Sequence, residues 1–238
     1  MLCEGFGDCE IVDLSHILEE GLPDVQLPFA HIVFKSARKG DDWNTNMVLF
    51  FEHHGTHIDA PSHLAVGKQW VHEIPLTNCM GPCCVIDLRS KKDNELTTKE
   101  DLVQWERRNG TISKGDIILL NYGWDRFWQE SIPCTIDRRP PYVVNFPGLA
   151  EEGAEFLLEK GVKAVGCDTP GLDSYELTWV TKKEASHIVL LPKNIPIVEN
   201  LTNLDRLPPK GAFFMALPLG IKDGSGSPTR AIAIIRRR

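Results

Sequence analysis

The sequence predicts a single compact domain of the mixed α/β class spanning residues 1–238, and three observations lead there. Short apolar runs alternate with helix-like patterns along the whole chain. No internal repeat, low-complexity tract or linker interrupts them. A chain of 238 residues also buries a sizeable core, so folding needs neither a disulfide nor a structural metal.

Taken in order, residues 10–14, 29–34, 46–51 and 83–88 read as strands, being short and rich in β-branched or aromatic side chains. Residues 116–122, 163–167, 195–198, 212–217 and 230–235 read the same way. Three helices lie between them. Thr97, Thr98, Lys99 and Glu100 make a capping-box pattern, with Glu100 reaching back to the Thr97 amide, and open a helix towards Arg108. Residues 149–160 are amphipathic through Phe156 and Leu157 and stop at Gly161. Residues 181–191 form the third helix, ended by Pro192. There are more strands than a doubly wound sheet needs. The proline-rich stretch 124–147 and the segment 169–180 read as ordered surface loops, which in a compact domain tend to carry function.

Composition narrows the function. A net charge of −7 argues against a nucleic-acid footprint, which needs clustered cations to displace phosphate counterions. The one basic block, Arg236 to Arg238, reads as a solvated tail. No apolar run approaches the ~20 residues that span a bilayer. The first eight residues lack a basic region followed by an apolar run, so no signal peptide is expected and the protein is placed in the cytoplasm. The seven cysteines form no CxxC pair and are expected to be reduced, with Cys83 and Cys84 in the core.

Four of the eight histidines fall between positions 53 and 63. In an extended chain His53, His57, Asp59 and His63 share one face, but a straight strand would spread them over ~33 Å. The chain must therefore curl, and Gly55 and Pro61 stand where it can. Imidazole nitrogens and a carboxylate oxygen suit Zn²⁺, Mn²⁺ or Fe²⁺. Three protein ligands with an open position make a catalytic pattern, the open position holding a water whose pKa the ion lowers towards ~7. His54 has the wrong parity and is left out. His16, His31 and His72 read as packing or surface residues.

The run His53-x-Gly55-Thr56-His57-x-Asp59-x-Pro61-x-His63 resembles, without a gap, the signature of the metal-dependent cyclase family, which includes bacterial-type kynurenine formamidase (arylformamidase) and isatin hydrolase. Asp13-Leu14-Ser15-His16, Cys167-Asp168-Thr169-Pro170, the block from Asn200 to Pro208 and the block from Gly224 to Arg230 extend the likeness from about Ile11 to Ile235. The resemblance implies an α/β domain with a central β-barrel-like sheet and peripheral helices, assembled as a dimer or larger homo-oligomer. It implies that His53, His57 and Asp59 bind the catalytic metal and that His63 is the general acid/base. His187 and Glu199 have the spacing of a second ligand pair, with Asp59 bridging two ions. Spacing alone would equally allow a helix-face histidine and a solvated carboxylate there. Asp168 and Thr169 are expected to support the site without touching metal.

The implied reaction is hydrolysis of a carbon–nitrogen amide bond in a small aromatic or cyclic substrate, using one or two Zn or Mn ions. His63 takes the water proton and returns it to the leaving nitrogen. The alternatives are a non-catalytic metal-binding or scaffold protein that keeps the fold, and a structural zinc site. The family's substrate-stacking tryptophan has no counterpart between Gly21 and Phe34, so Trp43 or Trp70 is the expected aromatic wall. Gly171 stands where the formamidases often have serine.

Overall fold

The computed structural model describes residues 8–24, 29–129 and 139–237. Strands and helices follow in chain order as β1 (Cys9–Asp13), β2 (Ala30–Lys35), β3 (Thr45–Leu49), β4 (His57–Asp59), β5 (Met80–Asp87), β6 (Leu96–Thr97), α1 (Lys99–Asn109), β7 (Ile117–Asn121) and α2 (Arg126–Gln129). The second half continues with β8 (Gly148–Leu149), α3 (Glu151–Lys160), β9 (Ala164–Cys167), α4 (Ala185–Leu190), β10 (Ile197–Glu199), β11 (Lys210–Met215), β12 (Gly226–Pro228) and β13 (Ile232–Arg236).

Nine strands form one sheet in the order β1–β13–β11–β5–β7–β9–β10–β4–β12. It curls into a half-barrel, as the resemblance implies. The middle strands β5, β7, β9 and β10 are parallel, and the strands on both flanks run antiparallel. β7 shows why the centre is parallel: all five of its residues are buried, as a strand covered on both faces requires.

Side-chain parity divides the core into two layers. Cys84, Ile86, Ile118, Leu120, Val165 and Ile197 meet Leu102, Trp105, Phe156, Leu157 and Leu190 of the helices. Cys83, Val85, Ile117, Leu119, Ile58 and Val198 point the other way, onto Val12, Phe214 and Ala233. The vicinal thiols Cys83 and Cys84 are therefore core residues, and burial pushes both up to about 12. Cys9 corrects the expectation of reduced thiols throughout, because it is disulfide-bonded. Cys79, Cys83, Cys84 and Cys167 are free. Spacing in sequence does not show which thiols approach one another in space.

Helix starts differ from the sequence reading for visible reasons. Thr97 belongs to β6, where its carbonyl accepts from Ala150 N–H and its hydroxyl meets Tyr122 Oη at 2.9 Å. The capping box therefore shifts by one residue to Thr98 and Asp101, and Asp101 replaces Glu100 as the reaching carboxylate. The third helix is shorter than expected. Asp173 accepts hydrogen bonds from the Ser186 and His187 amides at 2.8 and 3.3 Å, so α4 starts there. A π-helical turn, Glu176–Val180, occupies the stretch just before it.

β2 and β3 form a separate two-stranded hairpin. Every residue of β3 is exposed. No helix among the described residues is long and apolar enough to cross a membrane.

Candidate metal centre

The site grows from β4. His57 and Asp59 lie on one face of this strand, while Ile58 between them enters the core layer of Val198 and Phe214. β10 runs antiparallel beside β4 with Glu199 opposite His57, so a carboxylate from a distant part of the chain arrives on the same face. On the other side β12 places Gly226 opposite Asp59. A Cβ at Gly226 would stand 2.6 Å from the His53 ring, so only glycine lets that imidazole lie across the strand.

The chain curls at both expected points. Gly55 has φ +55°, and its N–H donates to Asp24 Oδ2 at 2.8 Å. Pro61 opens the short 3₁₀ turn Pro61–His63, which brings His63 back beside His53 with ring centroids 4.2 Å apart. His54 points away as parity required, and its Nδ1 accepts from Phe51 N–H. His31 and His72 are at the surface. His16 packs flat on Trp128, with ring centroids 3.9 Å apart.

Two overlapping triads result: His53, His57 and Asp59, then Asp59, His187 and Glu199. In each, the ligand atoms lie within 4.8 Å of one another. Asp59 Oδ1 is 2.6 Å from His53 Nδ1 and 3.2 Å from His57 Nε2, while its Oδ2 is 3.5 Å from His187 Nε2. Glu199 lies 3.1 Å from His187 Nε2 and 3.5 Å from His57 Nε2. Asp59 is therefore common to both groups, with one oxygen turned to each.

Hydrogen bonds on the far side of each ring fix which nitrogen faces inward. His57 Nδ1–H donates to the Gly55 carbonyl at 2.8 Å, leaving Nε2 for the centre. His187 Nδ1–H donates to Asp173 Oδ2 at 2.6 Å, again leaving Nε2. Ser225 Oγ donates to Glu52 Oε2 at 2.6 Å, so it accepts from His53 Nε2–H at 3.0 Å and leaves Nδ1 inward. Three imidazole lone pairs thus converge on two buried carboxylates. Lone pairs set against carboxylate oxygens at such distances need a cation between them.

The electrostatics say the same. Burial works against a charged His57, yet the hydrogen bond and charge of Asp59, with Glu199, raise it to about 9. Burial likewise opposes a charged His187, and Asp173, Asp59 and Glu199 outweigh it, holding the ring well above its ordinary value. Asp59 is buried too, but the surrounding histidines keep its carboxyl well below the usual range. Protons supply the positive charge when nothing else does. A divalent ion meets the same demand, and nitrogen and oxygen donors with oriented outer partners fit one. His63 is different: burial lowers its pKa, so it is neutral at pH 7.

These residues line a cavity of about 300 Å³, whose walls include Phe146, Thr178, Trp179 and Glu184. Three larger surface grooves, about 880, 990 and 530 Å³, contain none of the ligands. Trp43 and Trp70 do not reach the cavity. Trp43 lies under Lys35 Nζ outside it, and the aromatic wall is Trp179 with Phe146.

All six expected site residues come together here. Sequence reasoning missed Asp173 and Ser225, which hold His187 and His53 from behind, and Asn200 and Asp24, which hold the Gly55 peptide. Asp173 does for His187 what Asp168 was expected to do for the site. Asp168 instead accepts from the Tyr122 and Trp124 amides, and burial pushes it up to about 7. Thr169 supports the site through its backbone, accepting from Asn200 N–H. Only the general reading of 169–180 as a functional loop pointed towards Asp173.

Known proteins resemble this chain along most of its length. The model of the family described as "Putative cyclase" matches residues 12–174. The chain is 31% identical to isatin hydrolase of Roseibium aggregatum over 96% of its own length and 93% of that protein's. It is 28% identical to kynurenine formamidase of Bacillus cereus, covering 94% of this chain and 96% of the relative. A crystal structure of an isatin hydrolase bound to the product analogue thioisatinate superposes with a TM-score of 0.87, at 26% identity over 97% of this chain and 94% of that one.

Proposed function

Because this chain belongs to the cyclase family, we propose that it is a metal-dependent hydrolase that cleaves a carbon–nitrogen amide bond in a small aromatic or cyclic substrate. The observation that carries the reading is the pair of triads meeting at buried Asp59, with a neutral histidine beside them.

Zn²⁺ or Mn²⁺ suits this donor set, and two triads accommodate two ions. His53, His57 and Asp59 would hold one; Asp59, His187 and Glu199 would hold the other. When bound, such an ion polarises the substrate carbonyl and makes water a stronger acid at neutral pH. The chain's own residues supply the rest. His63 is neutral and stands against His53, where it accepts the proton of the attacking water and returns it to the leaving nitrogen. Trp179 and Phe146 line the cavity with aromatic surface suited to an aryl group. The scissile group is thereby confined between the wall and the centre. Formyl-amide cleavage and lactam opening require the same proton transfers, so the wall selects between them.

Elemental analysis with parallel assays on N-formylkynurenine and isatin tests this. Turnover of either substrate by the metal-loaded protein supports the reading. A fully loaded protein inert to formyl-anilides, lactams and lactones would overturn it and favour a binding protein on the same fold.

We also place a homodimer contact on the β2–β3 hairpin. Ile32, Val33, Phe34, Met47, Val48 and Leu49 are between 45 and 74% exposed, on both faces of the ribbon. A lone two-stranded ribbon is marginal in water, and contiguous apolar surface of this kind marks an interface. Trp179 and its chain neighbour Val180 are also exposed. A two-fold dimer that sets the hairpins of two chains against each other buries their apolar surface. Sedimentation should give twice the chain mass at micromolar concentration, falling to the monomer in Phe34→Asp/Met47→Asp. A monomeric wild type, or a double variant that stays dimeric, removes the hairpin from the contact.

A further inference from the structure

Asn200 has no part in either triad, yet it is almost fully buried and adopts φ +56°. Few residues other than glycine tolerate that conformation, asparagine and aspartate being the main exceptions. Its backbone is fixed at both polar ends: the N–H donates to Thr169 O at 3.1 Å, and the carbonyl accepts from Thr56 Oγ1 at 2.5 Å. The side-chain amide is therefore aimed by the main chain. Its Nδ2 donates to the Gly55 carbonyl at 2.8 Å, the same oxygen that receives His57 Nδ1–H. Its Oδ1 accepts from Tyr142 Oη–H at 2.7 Å. The Gly55 carbonyl settles which way the amide faces, since it can only accept and a reversed amide would set an oxygen against it.

The Gly55 peptide is thus gripped from two sides, its N–H by Asp24 and its carbonyl by Asn200. Gly55 is where the chain curls to bring His53 and His57 together, and its carbonyl sets the angle of the His57 ring. A peptide at φ +55° next to a glycine Cα has freedom to rotate, and a rotation would take the acceptor away from His57 Nδ1. We propose that Asn200, oriented by Tyr142, is a positioning residue that locks the Gly55 carbonyl and through it presents His57 Nε2 to the metal. This rests on the reading of His57 as a ligand. It adds that ligand geometry at one position depends on a side chain that touches no ion.

The test uses Asn200→Gly, which keeps the backbone conformation and deletes the amide, and Tyr142→Phe, which leaves the amide but frees its orientation. Imidazole NMR reads solvent exchange of His57 Nδ1–H in the metal-free protein; this proton donates to Gly55 in both the charged and neutral ring. Zn²⁺ titration then reads the His57 and His187 signals separately. Asn200→Gly should speed exchange at least about tenfold and weaken Zn²⁺ at the His57 position by about 10–100-fold, the usual cost of losing an outer partner. The His187 position should keep its affinity, and Tyr142→Phe should shift His57 in the same direction by less. Unchanged exchange and affinity in Asn200→Gly would overturn the proposal. So would equal weakening at both positions, which is a general loss of packing. A wild type that takes up no Zn²⁺, with His57 exchange still responding to Asn200→Gly, would leave the clamp standing and sink the metal reading instead.

Discussion

Asp59→Asn is expected to empty both halves of the centre at once. The substitution keeps the size of the side chain but removes the negative charge and replaces one oxygen with a donor. Oδ1 faces His53 and His57 and Oδ2 faces His187, so no orientation of an amide serves both triads. Metal content measured by elemental analysis should fall from two ions towards none. kcat/KM should drop by at least about a thousandfold, beyond the 10–100-fold that losing an outer partner costs. The fold should survive, because the two apolar layers of the sheet do not include Asp59. In the metal-free variant, His57 loses its hydrogen-bonding carboxylate, so its pKa should fall from about 9. An Asp59→Asn protein that holds both ions and turns over normally would break the two-triad reading.

His63→Ala separates chemistry from metal binding. His63 belongs to neither triad, so metal content should stay unchanged while kcat falls by about 10²–10⁴-fold, the range for a lost acid/base group. The pH profile carries the sign. A base must be neutral to accept a proton, and burial puts the pKa of His63 below its ordinary 6.5. Activity should therefore hold at neutral pH and fall as pH drops through that lowered value, and this acid limb should vanish in His63→Ala. A variant with wild-type kcat and the same limb would assign the proton transfer to another group. Glu184 would be the next residue to test, since it lines the same cavity.

The two substitutions also show which parts of the site the sequence could reveal. His53, His57 and Asp59 are local: period-two alternation and one turn at Gly55 bring them together within seven residues. His187 and Glu199 are not. Glu199 meets His57 through antiparallel register between β10 and β4, strands separated by most of the chain, and only the family resemblance suggested it. Register is set by the whole sheet, and a three-residue strand such as β4 gives little periodicity from which to infer it. Most of the longer strands were legible because apolar β-branched runs mark them, whereas β4, β6, β8 and β12 are two or three residues long and carry no such mark.

Supporting residues were harder still. Asp173 and Ser225 hydrogen-bond ligands from other elements and Asn200 bonds the Gly55 carbonyl, and an aspartate, serine or asparagine in a loop looks the same whether it does so or not. The wall shows a related limit. Trp43 and Trp70 were the nearer tryptophans in sequence, but Trp43 belongs to the hairpin region and the π-helical turn carries Trp179 into the cavity instead. The helix boundaries moved for the same kind of reason, since Thr97 was claimed by β6 and the α4 amides by Asp173.

Anomalous X-ray diffraction from crystals of the metal-loaded protein, recorded on either side of the zinc or manganese absorption edge, decides whether Asp59 joins two ions. Two peaks should share Asp59, one bounded by His53 and His57 and the other by His187 and Glu199. A loaded crystal with no peak at Asp59, or with its only peaks at surface side chains, would contradict this arrangement.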